Sequence, residues 1–123
     1  MKEPYNGSYM KVHYNDAFVQ KSDEWMTRRL LAHHNGMMIL HIHFHKATDD
    51  PGLHTHPHEQ LAYVQQGRIE FIVDGKSAGI FEPGDSIYFE PNSIHGGKPL
   101  VDDTIILDIF TPQRQDFLPP APK

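Results

Sequence analysis

From residue 25 to residue 110 the chain never runs far before a turn residue interrupts it, and this punctuation limits the fold more than any other feature. Apolar, β-branched and aromatic residues gather at positions 25–32, 37–44, 61–64, 68–73, 76–81, 86–89 and 104–110. Each run has the length of a strand. Between them lie His33-His34-Asn35-Gly36, Gln65-Gln66-Gly67, Asp74-Gly75 and Pro83-Gly84-Asp85. Asn-Gly and Asp-Gly are strong hairpin signals, because the tight turn that suits twisted strands needs a left-handed backbone at its centre. No long stretch shows the apolar period of an amphipathic helix. Short strands at close spacing predict an all-β sandwich or small barrel. Such a barrel is lined by alternate residues of each strand and is wide enough for one small ligand.

A length of 123 residues suits one domain with one core. We expect an N-terminal arm or strand over residues 1–22, with Tyr5, Tyr9, Val12 and Phe18 as its apolar points. The barrel then covers residues 23–118, and a proline-rich frayed tail covers 119–123. Apolar residues at 38% and charged residues at 22% fit an ordered globular chain. The net charge is −5 and there is no basic block, which argues against a nucleic-acid partner. The absence of cysteine rules out disulfides and thiolate chemistry. No apolar leader and no run of membrane-spanning length is present, so a cytoplasmic address away from membranes is expected.

Ten histidines raise the prior for metal chemistry and multiply the decoys. His54 and His56 are two residues apart in GLHTHPHEQLAYVQQG. On extended backbone such side chains point to one side, and two converging neutral imidazoles begin a chelate. Pro57 breaks the ladder, since it has no N–H to donate. Gln60 opens the next apolar run, and far downstream Pro91-Asn92-Ser93-Ile94-His95 supplies a third imidazole. Glu59 is the rival of Gln60, and we expect it to face outward. Three imidazoles and an amide oxygen leave a divalent ion with its full charge, which makes it a strong Lewis acid. The donor set accepts one divalent transition metal, whether nickel, zinc, iron, manganese or cobalt.

Other histidines fit this chemistry less well. His41, His43 and His45 alternate along one run. The outer two lie roughly 13 Å apart at about 3.3 Å per residue, too far to share an ion. A polar outer face or subunit contact suits them better. His58 is expected to be solvated, and His33 and His34 to belong to a turn.

Asp108 interrupts the apolar run Ile105-Ile106-Leu107-Asp108-Ile109-Phe110. Burying a carboxylate costs several kcal/mol unless it is paired or hydrogen-bonded. It is either a structural partner of a residue such as Arg114 or a general acid/base facing the cavity. Phe110 shares its face and forms an apolar wall. Arg114, just beyond the strand, suits a substrate carboxylate, which a guanidinium grips with two parallel hydrogen bonds. Arg28 and Arg29 are less specific candidates, and only one of them can face inward. Tyr63 and Tyr88 are read as core residues.

The pattern G-x-H-x-H-x-x-x-Q-x6-G resembles the first cupin motif, with Gln60 where most cupins carry Glu. Gly84-Asp85 followed by Pro91 and His95 resembles the second. The fold implied is a jelly-roll cupin barrel. HTHPHEQ, PNSIHGG, DTIILDIFTPQRQDFL and the early RRLLAHHNGMMIL further resemble the KdgF family of pectin-degradation cupins, over residues 24–118. That resemblance implies linearisation of 4,5-unsaturated uronates to 5-keto-4-deoxyuronate, with the small uronate as substrate. It implies a metal on His54, His56, Gln60 and His95, catalysis by Asp108 with Arg114, and substrate contacts from Phe110 and Arg114. Cupins are commonly dimers, so a homodimer is expected. Rival readings are another small metal cupin, a dioxygenase or sugar isomerase, or a non-catalytic sugar-acid-binding module.

Overall fold

The computed structural model describes residues 5–120. Residues 1–4 of the expected arm and 121–123 of the expected tail lie outside the described residues. Among the described residues nine strands form: β1 Phe18–Ser22, β2 Met26–His34, β3 Met37–Phe44, β4 Glu59–Gln66, β5 Ile69–Val73, β6 Lys76–Phe81, β7 Ser86–Phe89, β8 His95–Pro99 and β9 Thr104–Thr111. Two 3₁₀ turns, Tyr14–Asp16 and Gln115–Phe117, flank them. One sheet has the order β1-β2-β3-β9-β4-β7 and the other β6-β5-β8. Both are antiparallel among their assigned pairs.

The turn chemistry accounts for the hairpins. At Asp74-Gly75 both residues have positive φ, 48° and 83°, as the expected turn requires. At Asn35-Gly36 only Asn35 is left-handed, at 39°. That hairpin forms with a register irregularity between Leu30 and His33.

The core lies between the sheets and includes Leu30, Met38, Leu40, Ile42, Ala62, Val64, Ile69, Phe71, Phe89, Ile106 and Phe110. Each large side chain buried there contributes about 1.5–3 kcal/mol. Alternation along β9 sends Thr104, Ile106, Asp108 and Phe110 inward. The same alternation along β4 sends Gln60, Ala62 and Val64 inward. Register then places Asp108 between Leu40 and Ala62, with Phe110 beside Gln60. The inward turn of Gln60 forces Tyr63 outward, where it is exposed, and Tyr88 on β7 is exposed too. Neither is the core residue expected from the sequence: strand parity decides the face before hydrophobicity does.

Strand β1 is the end of the arm or strand expected over residues 1–22, whereas β8 is not among the runs that read as strands. β8 reads His-Gly-Gly-Lys-Pro, a poor β-former in isolation, and is held by its pairing with β5.

Candidate metal centre and the cavity beside it

The loop carrying His54 is tied to β8 by a single antiparallel bridge. His54 N–H donates to His95 O at 2.9 Å, and His95 N–H donates to His54 O at 3.0 Å. Gly97 N–H adds a bond to Pro51 O at 2.9 Å. Gly96 permits this approach, because a Cβ there would stand 3.0 Å from Pro51 C and 3.1 Å from Gly52 C. The Gly-Gly after His95 is therefore what seats one ligand strand against the other.

Three imidazoles converge as a result, with ligand atoms of His54, His56 and His95 within 4.8 Å of one another. Gln60 enters from β4: its Oε1 lies 2.9 Å from His56 Nε2 and 3.0 Å from His95 Nε2. Ligands at right angles around an ion, each at roughly 2.1 Å, sit roughly 3 Å apart, so the spacing fits one divalent ion.

Tautomers strengthen the fit. His95 Nδ1 faces Ser93 O at 3.2 Å and Ser93 Oγ at 3.1 Å. Ser93 Oγ already donates to Glu90 O. Both neighbours of Nδ1 are thus acceptors, Nδ1 carries the proton, and Nε2 turns a lone pair toward the Gln60 oxygen. His54 Nδ1 is likewise held by Gly52 O at 2.8 Å. The lone pairs of His54, His95 and the Gln60 oxygen gathered at one place suit a cation, and backbone carbonyls behind the rings are the usual way of aiming histidine ligands. Burial, and then the neighbouring His54 and His56, push the His95 imidazole down to about 4. Burial also lowers His56. Neutral imidazole is the form that binds metal. His95 is further fixed by stacking on Phe89, with ring centroids 4.2 Å apart.

A cavity of about 570 Å³ opens beside this cluster, lined among others by His54, Gln60, His95, Asp108, Phe110 and Arg114. Asp108 is buried, and its Oδ1 has no hydrogen-bond partner among the described residues. Burial pushes its carboxyl up to about 6, against the opposing pull of a Gln60 hydrogen bond and the charges of Arg28 and Arg114. A carboxyl poised near neutrality is what proton transfer requires. Among the described residues Asp108 forms no ion pair. The structural partnership with Arg114 does not occur, because Arg114 is taken by Asp116. Phe110 packs edge-on against His56 at 5.3 Å.

Glu59 faces outward as expected, where it accepts a bond from the Tyr88 hydroxyl. His58 is half-buried against Phe110 rather than solvated. Of the arginine pair, Arg28 lines the cavity and Arg29 reaches outward to the Tyr14 hydroxyl. His43, His45 and Asp103 form a second group with ligand-type atoms within 4.8 Å, on the outer surface. There His43 Nε2 pairs with Asp103 Oδ1 and His45 Nε2 with Thr27 Oγ1, each at 2.8 Å. Sequence reasoning passed over Ser93, Phe89 and Gly96, which aim and seat the ligands; the only signal for them was the spacing around His95.

The pattern of the cupin domain family matches residues 40–107. The pectin degradation protein KdgF of Dickeya dadantii (strain 3937) is 33% identical over 93 residues, covering 74% of this chain and 82% of that protein. Among solved structures, KdgF from Halomonas sp. superposes with a TM-score of 0.79 at 27% identity, covering 92% of this chain and all of its own. An RmlC-like cupin from Shewanella frigidimarina superposes with a TM-score of 0.78 at 27% identity, covering 88% of this chain and 95% of its own.

Proposed function

The chain belongs to the KdgF family of cupins, and from that premise we propose that it linearises 4,5-unsaturated uronates, monomers of pectin or alginate breakdown, to 5-keto-4-deoxyuronate. The observation that carries the reading is Asp108, the one buried acid among the described residues, which lines the same cavity as His54, Gln60 and His95. In this reading His54, His56, Gln60 and His95 hold one divalent transition metal. A metal bound there supplies Lewis-acid stabilisation of the oxygen on which negative charge develops.

The rest of the chemistry falls to the chain's own side chains. The substrate is a cyclic hemiacetal whose ring oxygen is bonded to C5 of a C4=C5 double bond. Asp108 takes the proton from the anomeric hydroxyl. The C1–ring oxygen bond breaks, C1 becomes an aldehyde, and the departing oxygen is left as an enolate at C5. Asp108 then returns a proton to C4, and C5 becomes a ketone. A carboxyl near pH 6 can accept and return that proton. Arg114 contributes positive charge and orientation, and Phe110 forms an apolar wall that limits how the ring sits.

A cytoplasmic homodimer completes the reading. No described helix is long and apolar enough to cross a membrane. The outer face of the larger sheet leaves Leu61, Tyr63 and Tyr88 exposed for a second copy.

The test is to add the purified protein to freshly lyase-generated unsaturated galacturonate and follow the enol-ether proton by NMR. Its loss, with growth of the open-chain product, is the expected result. Binding without consumption of the double bond would reassign the protein to sugar-acid capture, and oxygen uptake would reassign it to a dioxygenase.

A further inference from the structure

Among the described residues four lysines and arginines line the cavity: Lys21, Arg28, Lys46 and Arg114. Three have acidic partners, Lys21 with Asp23 at 3.8 Å, Lys46 with Glu24 at 3.5 Å and Arg114 with Asp116 at 2.7 Å. Arg28 has none among the described residues.

The contrast between the two guanidiniums is sharper still. Arg114 gives Nε and Nη2 to the two oxygens of Asp116, at 3.2 and 2.7 Å. That is the edge with which a guanidinium grips an external carboxylate, and here it is occupied. Arg28 gives Nη1 to Gln20 Oε1 at 2.7 Å. Its Nε is buried without a partner, and its Nε–Nη2 edge meets no acceptor from the described residues. Arg28 stands opposite the core residue Ile42 and is drawn inward by strand parity. Its Cζ lies 4.5 Å from the centre of the Phe117 ring, and Arg114 Cζ lies 4.0 Å from the same ring. A partly buried cation with no acid in contact is costly to keep, and the carboxyl whose charge acts on it most is Asp108, with which it forms no ion pair. Here it is held in place by Gln20 and Phe117, with an open donor edge.

We propose that Arg28 is the carboxylate anchor of this cavity, the group against which an acidic sugar sets its carboxylate. Arg114, already engaged by Asp116, adds charge without a second grip. The inference deepens the proposed reading of the site and rests on it, since it supposes a uronate as ligand.

The test compares calorimetric binding of galacturonate with that of its uncharged methyl ester. The wild-type protein is expected to prefer the acid by about 10-fold to 100-fold, the range of a charge-assisted hydrogen-bond pair. Arg28→Gln loses that preference while its affinity for the ester stays unchanged, which also reports an intact pocket. Arg28→Lys recovers part of the preference through charge alone. A wild-type protein that does not distinguish acid from ester, or an Arg28→Gln variant that keeps the full preference, overturns the assignment. Turnover is scored separately. A preference that depends on Arg28, found in a protein that leaves the unsaturated uronate intact, supports the anchor while removing the ring-opening reaction.

Discussion

His54 and His56 repeat the spacing of His43 and His45, and each pair has a third ligand-type residue brought to it from a distant part of the chain. The outer group is finished by the protein. His43 Nε2 meets Asp103, His45 Nε2 meets Thr27, and the Asp103 side chain is largely exposed to solvent. The inner group is left unfinished. His54 and His95 spend Nδ1 on backbone carbonyls, so their remaining nitrogens carry lone pairs, and His95 turns its own onto the oxygen of Gln60, which His56 Nε2 also faces. Spacing alone therefore makes a histidine pair; what sets the inner group apart is that its free nitrogens are not taken up by a protein side chain as those of the outer pair are.

The largest effect that separates the two groups is metal content. His56→Ala should lower affinity by more than the roughly 100-fold that losing a supporting partner costs a metal site. Elemental analysis after gel filtration should then find close to no metal, whereas His43→Ala should keep the wild-type content. Equal loss in both variants would make the outer group a ligand set as well.

Next in size is Asp108→Asn. With the ligands untouched, metal content should not change, while kcat for ring opening should fall about 10²-fold to 10⁴-fold, the usual worth of a positioned acid/base. Wild-type turnover in that variant would leave Asp108 without a role in proton transfer.

How much of this was open to inspection in the sequence depended on whether the feature was local. Asp74-Gly75, the His54–Gln60 motif and the parity of β9 are local, and each is reflected in the structure. β8 was not, because His-Gly-Gly-Lys-Pro has no strand propensity of its own and is made a strand by its neighbours. Tyr63 and Tyr88 were misplaced since an aromatic residue says little about its face until Gln60 is known to point inward. The pairing of Arg114 with Asp116, which leaves Arg28 as the open guanidinium, depends on how the chain after β9 folds back, and that is written in no short pattern.

Acid titration of the metal-free protein gives the next effect. Asp108 has a folded value of about 6, above its ordinary 3.8, so its protonated form is favoured by folding. Its contribution is full below about pH 4 and is lost as pH rises through 6. His95 runs the other way: its folded value is about 4, below its ordinary 6.5. Its contribution is present above 6.5 and is lost as pH falls through 4. Each is worth about 3 kcal/mol. Between pH 4 and 6 these two oppose, while burial also lowers His41, His56 and His58, which act with His95, so wild-type stability should fall on acidification. Asp108→Asn removes one side. That variant should be the more stable by about 3 kcal/mol at pH 7 and should lose the advantage on acidification, as chemical denaturation at stepped pH would record. Parallel wild-type and variant curves would mean that Asp108 is not held in the buried environment described.

The smallest effect belongs to the outer group and is the sharpest check on the comparison. The His43–Asp103 contact is an exposed surface pair, and such pairs contribute between zero and about 1 kcal/mol. His43→Ala should shift the denaturation free energy by about 0.5 kcal/mol or less, and the bond of His45 to Thr27 should persist without it. The same variant should leave uronate turnover at its wild-type rate. Zinc titrated into the wild-type protein should saturate at one equivalent, because binding at the outer group must first break two hydrogen bonds that the protein already makes. A second equivalent that disappears in His43→Ala would show that imidazoles already hydrogen-bonded to protein side chains yield to an ion as readily as those of the inner cluster, and that the orphaned lone pairs of the inner cluster are not what distinguishes it.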